Sequence, residues 1–125
     1  MSVNESMIFI VDDDQVQNEI HSIIIKKLYP GFQIRTFTHV SEAVKELLSY
    51  HMPDILFLDL HMPGDDIVSL LDVQKSSDMD FDVYLISSLA HMNDLSILKK
   101  YPKIKGFIPK PLQEHKLRTI IGHFA

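Results

Sequence analysis

The sequence has no cysteine and no tryptophan, and only four glycines and six prolines in 125 residues. Without cysteine there is neither a disulfide nor a thiolate metal site. Positive charge is also scarce: 12 Lys and Arg stand against 17 Asp and Glu, for a formal net charge of −5 and a pI near 5.7. That argues against a nucleic-acid binder working through a basic surface. No apolar run approaches the ~18 residues of a membrane span. The opening MSVNES has neither the basic nor the long apolar region of a signal peptide, so we expect a cytoplasmic protein. The seven histidines are scattered, without a His-x-His or His-x3-His pair, so we expect no histidine metal site. What remains, 46% hydrophobic and 23% charged, is the composition of one ordinary globular domain, and we take it to span residues 1–125.

The hydrophobic pattern changes period along the chain. Met7–Val11 is a short continuous apolar run, and Val16, Ile20, Ile23, Ile24 and Leu28 follow at helical spacing up to Pro30-Gly31. Gln33–Phe37 alternates with period two. Val40, Val44, Leu47 and Leu48 form a second helical stripe, and Ile55–Leu58 a second apolar run ending at Asp59. Ile67, Leu70 and Leu71 mark a third helix. Val83–Ile86 is a third apolar run, followed by Ser87-Ser88. A more polar helix covers about Asn93–Tyr101, Phe107-Ile108 is a short strand before Lys110, and Leu117, Ile120, Ile121 and Phe124 mark the last helix. Strands alternating with helices predict an α/β fold, a parallel sheet covered on both faces. The continuous runs belong at its centre. The alternating second strand and the short fifth strand, closed by Pro109, belong at its edges. The order 2-1-3-4-5 satisfies this. It is the flavodoxin-like (βα)5 doubly wound order, in which ligands bind outside the carboxyl ends of the strands at the switch point. The likeness between HMPD at His51–Asp54 and HMPG at His61–Gly64 is read as chance, since the two flank opposite ends of one strand.

Just past those carboxyl ends stand Asp12, Asp13 and Asp14, then Asp59, then Ser87 and Ser88, then Lys110. Singly each has a plain explanation. Asp14 reads as a helix N-cap with Gln17 completing a capping box; a lone Asp starts turns; a lone Lys is usually solvated. Together, carboxylates, a hydroxyl and an ammonium meet on one edge of one sheet.

The stretches IFIVDDDQ, DILFLDLHMPGDD, VYLISS and GFIPKP, in this order and spacing, resemble the receiver domain of two-component response regulators, of the single-domain, chemotaxis-regulator-like kind. The resemblance covers essentially the whole chain. It implies that Asp59 accepts a phosphoryl group from a sensor histidine kinase or a histidine phosphotransfer protein. It implies Mg²⁺ (or Mn²⁺), a hard cation suited to oxygen ligands, held directly by Asp13 and Asp59, by Asp12 mainly through water, and by the backbone carbonyl of His61. Ser87 would donate to a phosphoryl oxygen, and Lys110 would pair with Asp59 and then with the phosphoryl group. The Lys110-Pro111 bond would be cis. Ser87 and Phe107 would be the switch residues. The fourth helix, fifth strand and fifth helix would form the face that binds a downstream protein, and the same face is where a dimer would form. Such a protein is not a turnover enzyme, although it catalyses its own phosphorylation and dephosphorylation. Ser87 stands where Thr is commoner, and Ser88 where Ala is frequent. Pro109 before Lys110 is unusual. Leu89 offers no amide or acid to orient water, and His61 is the residue left to orient one or shield the site, so a fairly long-lived phosphoryl-Asp59 is expected. With the last helix finishing at Ala125, a complete chain would be a stand-alone receiver.

Two other readings use the same residues. FIVDDDQV also fits the Asp-x-Asp-x-Val of haloacid-dehalogenase-type phosphatases, with Asp12 as nucleophile, Asp14 as acid/base, and Ser87 and Lys110 on the phosphate. That family's second acidic site comes after its Lys, whereas Asp59 precedes Lys110. The other is a receiver-like binding module that does not use phosphorylation, against which the complete acidic set stands.

Overall fold

The computed structural model describes residues 6–88 and 96–122. The three continuous apolar runs become β1 (Met7–Val11), β3 (Ile55–Asp59) and β4 (Asp82–Ser87), and the alternating stretch becomes β2 (Gln33–Phe37). The last strand, β5, runs from Ile104 to Pro109. The helices are α1 (Gln15–Leu28), α2 (Val40–Leu48), α3 (Ile67–Ser76), α4 (Ser96–Lys100) and α5 (Glu114–Ile121). All strand pairs are parallel and the order is β2-β1-β3-β4-β5. The sheet places β2 and β5 at the edges and all of β3 in the interior. This is the flavodoxin-like order expected from the periodicity.

Alternate side chains of the central strands feed two cores, as the two-residue period requires. Phe9, Val11, Leu56, Leu58, Val83 and Leu85 pack with residues of α2 and α3. Ile8, Ile10, Ile55, Phe57 and Ile86 pack with Ile25 of α1 and Leu117 and Ile121 of α5. Each strand therefore buries both faces. At the carboxyl ends the register brings Asp59 beside Ile86 and Ser87 beside Pro109. The chain leaves the sheet into the acidic and basic residues at one edge.

Two expectations need correction, and a third lies partly outside the described residues. The stripe on α1 faces partly the wrong way: Val16, Ile20 and Ile23 are exposed, and the buried positions are Asn18, His21 and Ile25. A helix with apolar residues on more than one side gives no unique inward face, and here two polar side chains take inward places. The fifth strand is longer than Phe107-Ile108, because Ile104 pairs with Val83 before Lys105 and Gly106 interrupt the apolar pattern. The fourth helix is described only from Ser96. The rest of that expected helix, with Leu89, lies outside the described residues, as do Phe124 and Ala125. No described helix is long and apolar enough to cross a membrane.

Candidate functional site

The acids at the end of β1 are not equivalent. Asp14 is the N-cap of α1: its Oδ1 accepts from the backbone N–H of Val16 at 3.0 Å and of Gln17 at 3.2 Å. This satisfies donors that the first helical turn leaves open. The return half of the expected capping box does not form. The Asp14 N–H donates instead to Asp12 Oδ1 at 3.0 Å, because the neighbouring carboxylate is the stronger acceptor. Asp12 is fully buried, Asp13 exposed. Asn18, inside α1, donates to the backbone carbonyl of Asp12 at 2.9 Å and so ties the acid-bearing turn to the helix.

Asp59 ends β3 and is 3% exposed. The His61 N–H donates to its Oδ1 at 3.1 Å, and the Lys110 ammonium donates to its Oδ2 at 3.1 Å. The same ammonium lies 3.0 Å from Asp12 Oδ2. Lys110 is fixed in turn by its own N–H, which donates to the Ser87 carbonyl at 2.9 Å. The Lys110-Pro111 bond is cis. Ser87 is buried and its hydroxyl donates to the Ser88 carbonyl at 3.0 Å, so the hydroxyl is not turned toward Asp59. The loop after Asp59 turns at Gly64 with φ +84, a left-handed geometry that favours glycine.

One carboxylate oxygen from each of Asp12, Asp13 and Asp59 lies within 4.8 Å of the others. Three carboxylates against one ammonium leave two formal negative charges at the mouth of the sheet. An all-oxygen, doubly negative set suits a hard divalent cation. Burial raises the carboxyl of Asp59 above the usual carboxylate range, and the Asp12 charge adds to it; the His61 N–H and Lys110 oppose this without cancelling it. Burial pulls the Lys110 ammonium down, but its bonds to Asp12 and Asp59 outweigh that and lift it above an ordinary lysine.

The structure thus brings Asp12, Asp13, Asp59 and Lys110 together, with Ser87 and the His61 backbone adjoining. The His61 side chain is exposed. Phe107 stands apart from the acids. It is half-buried on β5 and lines a cavity of about 230 Å³ with Tyr84, Ile108, His115, Lys116 and Ile120. Sequence reasoning missed His21. It is fully buried, and neither ring nitrogen has a hydrogen-bond partner. Its place in the helix offered no signal, since the apolar stripe was read on another face.

The family model for the response regulator receiver domain matches residues 8–122. The chain belongs to this family. It is 22% identical over 117 residues to the transcriptional regulatory protein MalR of Bacillus subtilis, covering 94% of this chain and 49% of MalR. It is 27% identical over 114 residues to the transcriptional regulatory protein CitT of the same species, covering 91% of this chain and 50% of CitT. It spans about half the length of these curated relatives. A CheY-like receiver domain from Methylobacillus flagellatus superposes with a TM-score of 0.79 at 18% identity, over 98% of this chain and 100% of that one. The response regulator TrrA of Thermotoga maritima, solved with Mg²⁺ and BeF, gives 0.76 at 21% identity over 96% of this chain and 99% of that one. The receiver is a component of two-component signalling.

Burial raises Asp59, so its carboxylate costs stability at neutral pH without a cation, and Lys110 keeps Asp12 when Asp59 is neutral. Asp59→Asn is expected to raise the metal-free Tm by roughly 2–8 °C, the shift that about 1 kcal/mol produces in a small domain; calorimetry in a chelating buffer checks this. His21 shifts the other way. Burial lowers it, Lys110 adds to that, and Asp12 and Asp14 oppose. The fold therefore holds the imidazole neutral. Its stability is present in full above the ordinary histidine value of about 6.5 and is lost as pH falls from there through the lower folded value. Urea unfolding between pH 7 and 5 is expected to show a smaller loss of stability in His21→Leu than in the wild type.

Proposed function

We propose that residues 1–125 form a receiver in which Asp59 is the phosphoacceptor, taking its phosphoryl group from a sensor histidine kinase or a histidine phosphotransfer protein. The observation that carries this reading is the shared ammonium of Lys110, 3.1 Å from Asp59 Oδ2 and 3.0 Å from Asp12 Oδ2. It sits at the carboxyl edge of the sheet, with the exposed Asp13 beside it. An oxygen of Asp59 attacks phosphorus, and the donor's N–P bond breaks with its electron pair returning to the imidazole. Such a transfer depends chiefly on positioning and on neutralising charge. Lys110 supplies a positive charge that moves from a carboxylate oxygen to a phosphoryl oxygen without leaving the site. The Ser87 hydroxyl would turn from the Ser88 carbonyl to the phosphoryl group.

Asp12, Asp13 and Asp59 would hold Mg²⁺ (or Mn²⁺), with the His61 carbonyl as a further oxygen. When bound, the ion supplies positive charge that neutralises the transferred group. The likeness to a regulator solved with Mg²⁺ and BeF supports this choice. The output is a switch in which Ser87 moves toward the phosphoryl group and Phe107 rotates inward. Its present half-buried place beside a cavity on the β5–α5 face gives it room to move. The face formed by α4, β5 and α5 then controls a downstream protein partner in the cytoplasm, or a dimer. The chain promotes its own phosphorylation and dephosphorylation and turns over no other substrate.

The phosphatase reading is disfavoured by a specific contact. Asp14, which would be its acid/base, spends its carboxylate on capping α1. Incubation with acetyl phosphate and Mg²⁺, followed by intact-mass analysis, tests the proposal. Wild type is expected to gain one phosphoryl group that outlasts seconds, and Asp59→Asn none. Phosphate-monoester turnover that survives in Asp59→Asn would favour the phosphatase, and an unlabelled wild type would favour the phosphorylation-independent module.

A further inference from the structure

Away from the acids, a second polar cluster joins two elements on the α2–α3 side of the sheet. Tyr101 directly follows α4 and is 3% exposed. Its hydroxyl donates to Asp72 Oδ1 on α3 at 2.6 Å, across 29 positions of sequence. Lys75, one turn further along α3, donates from its ammonium to the Lys100 carbonyl at 3.1 Å. The same ammonium lies 5.7 Å from the centre of the Tyr101 ring, within cation–π range. One helix thus grips the end of the next by a charge-assisted hydrogen bond, a lysine on a terminal carbonyl, and a ring contact. The hydrogen bond to Asp72, with burial behind it, pushes the Tyr101 phenol up to about 12, so the hydroxyl keeps the proton it donates.

The gripping element is itself fixed. Leu70 and Leu71 of α3 are fully buried, and Gln74 donates to the Phe81 carbonyl at 2.7 Å. Helix α3 is therefore anchored to the sheet, and the end of α4 is anchored to α3. Along the chain, α4 follows Ser87 and Ser88, and the contacts to α3 lie at its far end. A hydrogen bond of 2.6 Å fails once its atoms separate by about 1 Å more, so a shift of α4 past α3 must break it.

We propose that Asp72, Lys75 and Tyr101 form a clamp that holds the C-terminal end of α4 on α3 in the resting receiver, and that opening it shifts the domain toward its signalling arrangement without a phosphoryl group. The second half of this proposal rests on the switch described under Proposed function. The clamp makes Tyr101 a positioning residue for the output face. A receiver that populates its binding-competent form more often binds a phosphoryl mimic more tightly in proportion.

The test compares wild type with Tyr101→Phe, which keeps the ring and removes the hydroxyl, and with Asp72→Ala and Asp72→Asn. The asparagine keeps an acceptor for the tyrosine hydroxyl. Hydrogen exchange read by mass spectrometry on peptides covering residues 97–101 is expected to quicken several-fold in Tyr101→Phe and Asp72→Ala, with β1 and β3 unchanged and Asp72→Asn close to wild type. Beryllofluoride with Mg²⁺ is expected to bind those two variants several-fold more tightly than wild type or Asp72→Asn. Unchanged exchange at residues 97–101 in both variants overturns the clamp. Faster exchange with unaltered beryllofluoride affinity overturns its bias toward the resting state. If wild type binds no beryllofluoride, the phosphoacceptor reading fails and so does that bias, while exchange alone decides whether the clamp exists. Asp72→Ala supplies the same readouts should Tyr101→Phe fold poorly.

Discussion

One ammonium shared between two buried carboxylates is the constraint around which this receiver is arranged. Asp12 and Asp59 end adjacent strands of the sheet interior, where an uncompensated negative charge is costly. Lys110 reaches both from the end of β5, and its backbone N–H is locked to Ser87 at the end of β4. The ends of four strands, β1, β3, β4 and β5, thereby converge on a single charge balance. The balance stops short of neutrality. Asp59 stays above the usual carboxylate range even with two hydrogen-bond donors on it, and Asp13 adds a third negative group at the solvent side. The site is left with a demand for positive charge that its own residues do not meet.

That demand links fold to function. A sheet whose central strands bury both faces has no place for such charges except beyond the strand ends. The parallel order puts those ends together on one side of the molecule. Ser87 ties β4 to this site: its carbonyl accepts from the Lys110 N–H, and its hydroxyl donates to the Ser88 carbonyl. Further along the chain, the end of α4 is fastened to α3 through Tyr101.

Much of this was legible in the sequence, for identifiable reasons. Continuous apolar runs have one economical fate in a domain of this size, which is a doubly covered parallel strand, and such runs stop where polarity begins. Asp12, Asp59, Ser87 and Lys110 were therefore placed by where the runs ended. The reading failed where burial did not follow polarity. Asn18 and His21 are polar but face inward, while Val16, Ile20 and Ile23 are apolar but face solvent, so period alone placed only Ile24 and Leu28 of the expected stripe against the core. The Asp72–Tyr101 bond spans distant positions and has no periodic signature. The capping box was half right because Asp12 competed for the Asp14 N–H, a contact no local motif encodes.

The central claim is that the acids form a site whose negative charge a divalent cation completes. It is tested most directly by thermal unfolding with and without Mg²⁺ in wild type, Asp13→Asn and Asp14→Asn. The account predicts that Mg²⁺ raises the wild-type Tm, because a ligand bound only to the folded state stabilises it. Asp13→Asn should abolish that gain, and Asp14→Asn should keep most of it while losing some stability at the helix cap. A wild type indifferent to Mg²⁺, or a gain that survives in Asp13→Asn and disappears in Asp14→Asn, would contradict it.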